Sequence, residues 1–281
     1  QSDTAGRFWA FRFRNLRPAT EYRLELSDGS RNPLCDAWPV RTFPAPGQQP
    51  ERFRLLVYTC AGGHDGLLHE DGQKKFIPVE IRQRLFARAL SFQPDAMIAN
   101  GDHVYWDQQI RADGSRNGMP DMIQVAGRFD RSLPVLGTAN EQVLLGAVTR
   151  QVGDLYSTLF RSVPVHFITD DHDYFENDEG RDDFVSFPPD VFMERLARAT
   201  RRLFYPEFLP DTKRPTGLPG ESAADTGLGL GESYGTIRYG NLAEVLMYDC
   251  RRFLSLKGPT GVFVSMQAEK WLMDRTADES V

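Results

Sequence analysis

Three short segments combine residue types that could hold a metal ion, each at the end of an apolar run. They are Thr59-Cys60, Gly101-Asp102 and the acidic run Asp170-Asp171-His172-Asp173. Carboxylates are hard ligands that suit multivalent cations, and a thiolate adds a soft donor. A hydrolase that acts on phosphate needs oxygen ligands to hold and bridge its cations. The donor types therefore indicate metal-dependent hydrolysis.

The loop after Asp102 contains two further donors. Tyr105 follows three residues later, and its phenolate would suit Fe(III) better than magnesium or zinc. Asp107 adds a carboxylate in the same loop. The alternative interpretation is a capped turn with solvated acids, because Gly-Asp is common in turns.

The acidic run after Thr169 has four consecutive ionisable residues. Such a group is costly at the end of a buried strand unless something binds it. One acid could ligate a cation while His172 serves a leaving group. A solvated acidic loop is the alternative. An EF-hand is excluded, because Phe175 stands where an oxygen ligand belongs and no glycine stands at 176.

The elements that must position these residues follow from hydrophobic periodicity. Apolar runs at 53–59, 95–99 and 164–169 predict strands, the first and third of them buried, and a helix is predicted at 78–92 with Pro78 in its first turn. A β-α-β order predicts parallel pairing with a right-handed crossover, so the strand ends share one edge. Further helices are predicted at 139–160, 188–204 and 267–278, and an antiparallel pair at 233–239 and 243–249.

The chain is predicted to have two modules. Residues 1–46 alternate as β-structure, and Leu16 to Tyr22 resembles the L-x-P-x-T-x-Y turn of fibronectin III-like sandwiches, of which only part fits here. Residues 47–52 form a linker by composition. Residues 53–281 are the predicted catalytic domain.

Bulk composition narrows the class of protein. The 281 residues are 41% hydrophobic and 26% charged, as in an ordinary soluble protein. The net charge of −6 and the dispersed basic residues argue against a nucleic-acid-binding surface. No apolar run approaches the roughly 18 to 20 residues of a membrane span. No P-loop motif occurs, and three cysteines imply no disulfide framework.

Four motifs, each at a predicted strand end, occur in the order found in a known family. They are Thr59-Cys60, the GD-x-x-Y-x-D segment from Gly101 to Asp107, the DDHD run from Asp170, and Asp249-Cys250-Arg251. Gln267 to Leu272 is similar to the family's Q-x-x-W-L helix start, with one residue more. Residues 53–281 thus resemble the PhoD-like (alkaline phosphatase D) branch of the metallophosphoesterases.

The resemblance implies an α/β fold, a four-layer αββα metallophosphoesterase-like sandwich, and a set of metal ligands. Cys60 and Tyr105 would bind Fe(III), and Asp102 would bridge the iron to a second cation. That cation is Ca(II) in the family, although other divalent metals are compatible. Asp171 stands where the wider superfamily has a ligand asparagine.

The resemblance also implies a reaction. A metal-activated hydroxide would attack the phosphorus of a small phosphoester. His172 would stabilise the transition state or protonate the leaving oxygen. Arg251 would contact the phosphate, or it would hold the strand end at Asp249. Mono-, di- and triesters all remain open as substrates, since the loops 111–137 and 206–232 would shape that choice.

The chain departs from the family in its last ligands. The superfamily completes its site with histidines or a GD-x-H segment from a later strand, and no histidine follows His172 here. We therefore expect a C-terminal segment beyond this sequence, or a second chain, to complete the site unless the site is depleted. The family resemblance implies a periplasmic or secreted protein, although the N-terminus has no signal-peptide pattern.

Two other functions compete with hydrolysis of phosphoesters. Gly231 to Gly235 matches the G-x-S-x-G nucleophile elbow, but a strand follows it rather than a helix, and no later histidine exists. A secreted, non-catalytic binding protein with a degenerate phosphatase-like domain is the other alternative. Such a protein would be colourless and indifferent to chelators.

Overall fold

The computed structural model describes residues 8–9, 11, 13–106, 122–174, 180–181, 184–185, 187, 189–204, 234–251, 254–256, 261–264 and 266–277. The strands are β1 (Glu21–Leu24), β2 (Trp38–Arg41), β3 (Leu55–Tyr58), β4 (Ala96–Asn100), β5 (Val165–Ile168), β6 (Gly180–Arg181), β7 (Phe184–Val185), β8 (Tyr234–Tyr239) and β9 (Ala243–Tyr248). The helices are α1 (Val79–Leu90), α2 (Ile123–Ala126), α3 (Ala139–Val148), α4 (Val191–Phe204) and α5 (Met266–Thr276). A π-helical segment spans Thr149–Asp154, and a 3-10 turn spans His172–Tyr174.

The predicted parallel sheet is present in the order β3-β4-β5. Helix α1 connects β3 to β4 and begins after Pro78, which lacks the N–H that a first helical turn leaves unpaired. Because all three strands run in one direction, the loops after Tyr58, Asn100 and Ile168 leave the same edge of the sheet. This edge is where the predicted donors lie.

The two faces of the sheet are covered differently. On one face Met97 and Ala99 pack with apolar side chains of α1, α3 and α4. On the other face Ile98 and Ile168 pack against Ile237 and Met247 of the β8–β9 hairpin, which was predicted. Arg275 of α5 forms an ion pair with Glu244, whose side chain alternates to the opposite face of β9 from Val245.

Burial of the strands on both faces is confirmed only in part. Residues 96–99 of the central strand are buried, but Val57 of β3 is 55% exposed. Strand β3 lies at an edge of this sheet. Val57 is on the same face of β3 as Leu55, but of these two only Leu55 packs in the apolar cluster with the β8–β9 hairpin. The apolar run in the sequence did not reveal which strand would be at the edge.

All four predicted helices differ from their predicted bounds, two of them by more than two residues at one end. The tract predicted at 139–160 is α-helical to Val148 and then continues as the π-helical segment. The helix predicted from 188 begins at Val191, because the Asp190 carboxylate accepts the backbone N–H groups of Phe192 and Met193 at 2.8 and 2.9 Å. No helix in the described ranges has the length and apolar character to cross a membrane.

The N-terminal region contains one antiparallel pair, β1 with β2. The strand predicted around Phe11 is not formed by the described residues there, and Phe11 is largely exposed. The Tyr22 hydroxyl accepts the backbone N–H of Arg17 at 2.8 Å, which ties the predicted turn together. Two strands do not establish a fibronectin III-like module, and the boundary at 47–52 remains a prediction.

Candidate metal centre

Two donors from different loops converge on one carboxylate oxygen. The Cys60 thiol donates to Oδ2 of Asp102 at 3.3 Å, and the Tyr105 hydroxyl donates to the same oxygen at 3.1 Å. Cys60 and Asp102 are 42 residues apart in sequence, so the parallel pairing of β3 and β4 brings them together. The structure thus places Cys60, Asp102 and Tyr105 in one cluster.

The backbone at this cluster adopts left-handed conformations. Cys60 and Asp102 have φ of 60° and 56°, which is costly for residues with a side chain and is concentrated at functional sites. Gly101 has φ of 83°, and a Cβ there would lie 2.3 Å from the Cβ of Asp170. Only glycine fits between the two loops.

Three carboxylates face one another at the same edge. Asp102, Asp170 and Asp171 each offer an oxygen, and these oxygens lie within 4.8 Å of one another. Burial, together with the charges of the nearby Asp173 and Asp171, raises the pKa of Asp102 to about 7. Oδ1 of Asp102 is buried and has no hydrogen-bond partner among the described residues. A multivalent cation would supply the partner that Oδ1 of Asp102 lacks among the described residues, so this cluster fits a metal.

Asp173 has a different role from its acidic neighbours. Its side chain is buried, and it accepts the backbone N–H groups of His103, Val104 and Asp170 at 2.8, 3.1 and 2.9 Å. Burial nevertheless raises the pKa of Asp173 to about 7. This carboxyl joins the loop after β4 to the loop after β5 and is structural.

The two histidines near the cluster are also distinguished by their contacts. His172 lies buried in the 3-10 turn, and its ring centroid is 4.3 Å from that of Tyr105. Nε2 of His103 lies 2.8 Å from the carbonyl oxygen of Ile168. Burial lowers the pKa of His103 to about 4, so its neutral ring donates this bond. His172 borders the cluster, whereas His103 holds the end of β5.

Arg251 makes two contacts, one for each of its predicted roles. Its guanidinium Nε forms an ion pair with Oδ1 of Asp170, which brings its charge to the edge of the cluster. Its backbone N–H donates to Asp249 at 2.9 Å. Asp249 is buried and also accepts the hydroxyl groups of Thr169, at 2.6 Å, and of Tyr174. Asp249 thus holds the strand ends, and the Arg251 side chain reaches the cluster.

Sequence reasoning missed three contributors. Asp170 belongs to the cluster, but in an unbroken acidic run nothing indicated which carboxylates face it. Arg82 donates to the carbonyl oxygens of Gly63 at 3.0 Å and of Ala61, which holds the loop after Cys60. In the sequence, Arg82 was marked only by its charge on the inward face of α1. Gln151, which contacts Tyr105, had no feature that would have identified it. The predicted donor Asp107 and residues 231–233 of the G-x-S-x-G motif lie outside the described residues.

The described chain has an α/β fold with thiol, phenol and carboxylate donors at the carboxyl edge of a parallel sheet. Among solved structures the chain is similar to PhoD, with a TM-score of 0.54 and 15% identity over 95% of this chain. The predicted α/β, PhoD-like fold is thereby confirmed, while the four-layer arrangement stays a prediction. The chain spans 46% of PhoD, which is less than half of its length.

A second solved structure is more distant. A purple acid phosphatase from yellow lupin (Lupinus luteus) seeds matches 71% of this chain and 28% of its own, with 12% identity and a TM-score of 0.36. No protein-family model and no curated protein matches the sequence. The likeness to PhoD therefore establishes the fold, and the function has to be argued from the residues.

Proposed function

We propose that this chain provides the active-site residues of a metal-dependent phosphoesterase. The observation that carries the proposal is the convergence of Cys60 and Tyr105 on Oδ2 of Asp102, beside the oxygens of Asp170 and Asp171. A thiol, a phenol and three carboxylates are an expensive arrangement unless cations bind them. A capped turn would need neither the thiol nor the phenol.

The donors divide into two sets. Cys60, Tyr105 and Asp102 would hold Fe(III), because thiolate and phenolate suit a trivalent transition metal. Asp102, Asp171 and Asp170 would hold a second cation such as Ca(II), which prefers carboxylate oxygens. When bound, such cations acidify water and offset charge on phosphoryl oxygens.

The protonation of the donors couples metal binding to pH. Burial, together with the charge of Asp102, raises the pKa of Tyr105, so the phenol is protonated at neutral pH in the metal-free protein. Burial also raises the pKa of the Cys60 thiol. Both donors must lose a proton when they bind a cation, so affinity should rise with pH.

The remaining residues would act on the substrate. His172 is buried beside Tyr105, and we assign it the protonation of the leaving oxygen or the stabilisation of the transition state. Arg251, paired with Asp170, would contact a phosphoryl oxygen from the edge of the cluster. The substrate would be a small phosphomonoester or phosphodiester.

The complete site would need more than this chain describes. We propose a four-layer αββα sandwich in which a further C-terminal segment or a second chain supplies the remaining ligands. The described contacts are compatible with this layering, since the β8–β9 hairpin covers one face of the parallel sheet and Arg275 of α5 pairs with Glu244 on the far side of that hairpin.

The test compares the wild type with Asp102→Ala, using Asp36→Ala as a control at an exposed aspartate. Metal content is measured by inductively coupled plasma mass spectrometry, together with the visible spectrum and hydrolysis of an aryl phosphoester before and after chelation. We expect a coloured, iron-containing wild type and control, and a colourless, inactive Asp102→Ala. Full activity in Asp102→Ala contradicts the proposal. A wild type that stays colourless and inactive with the completing segment or second chain present supports the non-catalytic binding protein instead.

A further inference from the structure

The π-helical segment 149–154 lies directly behind the metal-ligand cluster. It continues α3, and π-helical turns are rare and frequently lie at functional sites. Two consecutive side chains of this segment, Arg150 and Gln151, make polar contacts to two different parts of the protein. One part contains Tyr105, and the other connects through α1 to the loop after Cys60. Tyr105 and Cys60 are the two proposed iron ligands.

Gln151 holds the backbone of Tyr105. It is fully buried, and its Oε1 accepts the Tyr105 N–H at 3.0 Å. Its Nε2 donates to the carbonyl oxygen of Ala147 at 3.0 Å and to that of Tyr105 at 3.4 Å. One amide therefore satisfies both backbone polar groups of Tyr105 from a residue 46 positions away in sequence. A fixed backbone directs the phenol at Asp102.

Arg150 reaches the Cys60 loop through α1. Its guanidinium binds both oxygens of Asp65, at 2.8 and 2.9 Å. Asp65 in turn accepts the N–H of Val79, the first residue of α1, at 2.9 Å. One turn later Arg82 holds the carbonyl oxygens of Ala61 and Gly63. The same segment thus braces the helix that fixes the loop after Cys60.

We infer that the π-helical segment positions the Cys60–Tyr105 pair, with Gln151 as the positioning residue of Tyr105. The inference rests on the proposed iron-binding role and assigns to that site a supporting layer. Residues behind metal ligands commonly change metal affinity by about 10- to 100-fold when they are replaced. A buried N–H and a buried carbonyl left without Gln151 would also reorganise, because unpaired buried polar groups are costly.

A matched glutamine provides the control. Gln83 of α1 donates to the carbonyl oxygens of Asp154 and Leu155, at 2.7 and 3.5 Å, so it binds the other end of the same segment. It makes no described hydrogen bond to the cluster residues. Gln151→Met and Gln83→Met therefore remove the same chemical group from the same segment, with and without contact to Tyr105.

The first measurement is made on the metal-free protein and does not depend on iron. Selective 15N labelling of the nine tyrosines gives few amide signals, and the signal missing from Tyr105→Phe assigns Tyr105. We expect the Tyr105 amide to exchange with solvent at least about 10-fold faster in Gln151→Met. The rate should be unchanged in Gln83→Met. Equal Tyr105 exchange in the wild type and Gln151→Met overturns the inference.

The second measurement uses iron-loaded protein. Gln151→Met should bind Fe(III) about 10-fold more weakly and should have a shifted tyrosinate-to-iron absorption band, while Gln83→Met should match the wild type. An unchanged band and affinity in Gln151→Met overturn the inference. If Gln151→Met does not fold, Gln151→Asn keeps the amide group but is one methylene too short to reach Tyr105, and a normal band in it has the same meaning. A wild type that binds no iron contradicts the proposed function instead, and the exchange measurement still decides the role of Gln151.

Discussion

Two carboxyls at the carboxyl edge of the sheet differ in one respect that separates structure from chemistry. Asp102, in the loop after β4, and Asp173, in the turn after β5, both have a pKa raised to about 7 by burial. Asp173 accepts three backbone N–H groups. Asp102 accepts a thiol and a phenol on one oxygen, and its other oxygen has no partner in the described part of the chain.

The difference teaches that burial and pKa do not identify a metal ligand by themselves. Backbone N–H groups are fixed donors that cannot move aside for a cation, so the Asp173 carboxyl is already fully used. The donors around Asp102 are ionisable side chains that can lose a proton and become ligands. The partner types therefore distinguish the two carboxyls, and the predictions below test that distinction.

The largest expected effect separates the two carboxyls by stability. Asp173→Ala should lower the free energy of unfolding by about 4 kcal/mol, because it leaves three buried N–H donors without an acceptor. Asp102→Ala should change the stability of the metal-free protein far less, since relief of repulsion among the carboxylates offsets the two hydrogen bonds that Oδ2 loses. Urea unfolding in the presence of a chelator measures both. A comparable loss in Asp102→Ala would remove the distinction.

A second prediction concerns acid, where two histidines with lowered pKa values, His103 and the half-buried His166, oppose the two carboxyls. A raised carboxyl pKa means that the folded metal-free protein gains stability as pH falls from about 7 towards 4. Burial lowers the pKa of His166 to about 4, below the 6.5 of an unfolded chain. The folded protein therefore loses the stability that depends on a neutral His166 as the pH falls from 6.5 to 4. At pH 4 the His166 ring should lower the free energy of unfolding by about 2 kcal/mol, a figure reduced because the ring is partly exposed.

His166→Phe isolates the contribution of His166, because His103, whose pKa burial also lowers to about 4, titrates in both proteins. The variant removes the titrating ring from a position close to Phe43, so its stability should fall less towards pH 4 than that of the wild type. Urea unfolding between pH 7 and 4 measures the difference, and His69→Phe, at an exposed histidine, is the control. Parallel pH profiles for the wild type and His166→Phe would show that burial does not shift this ring.

The smallest expected effect concerns the pair of Arg251 with Asp170. The Asp170 carboxylate shares features of Asp102 and of Asp173. It lies in the cluster and is also paired with Arg251. Arg251→Lys should lower kcat/KM for an aryl phosphoester about 10-fold, because lysine cannot reproduce the planar fork that binds phosphate. Arg131→Lys, at an arginine paired with Asp190, should have no effect. An unchanged kcat/KM in Arg251→Lys would reduce Arg251 to a support for Asp170.

The sequence predicted the elements better than it predicted the supporting contacts. Cys60, Asp102 and the acidic run could be placed at one edge because parallel strands end together, and the structure places them there. Which acids face the cluster and which one is structural could not be predicted, because the 3-10 turn after β5 points successive side chains in different directions. Gln151 and Arg82 could not be found, since their partners are backbone groups whose positions depend on tertiary packing.

The order of strands in the sheet also has a consequence for how the protein folds. Cys60 and Asp102 come from loops 42 residues apart, and the chain must pair β3, β4 and β5 before all three loops meet. Contacts between distant parts of a chain form slowly, because loop closure costs entropy before it is rewarded. A cation therefore cannot template the early steps and should slow unfolding more than it accelerates refolding.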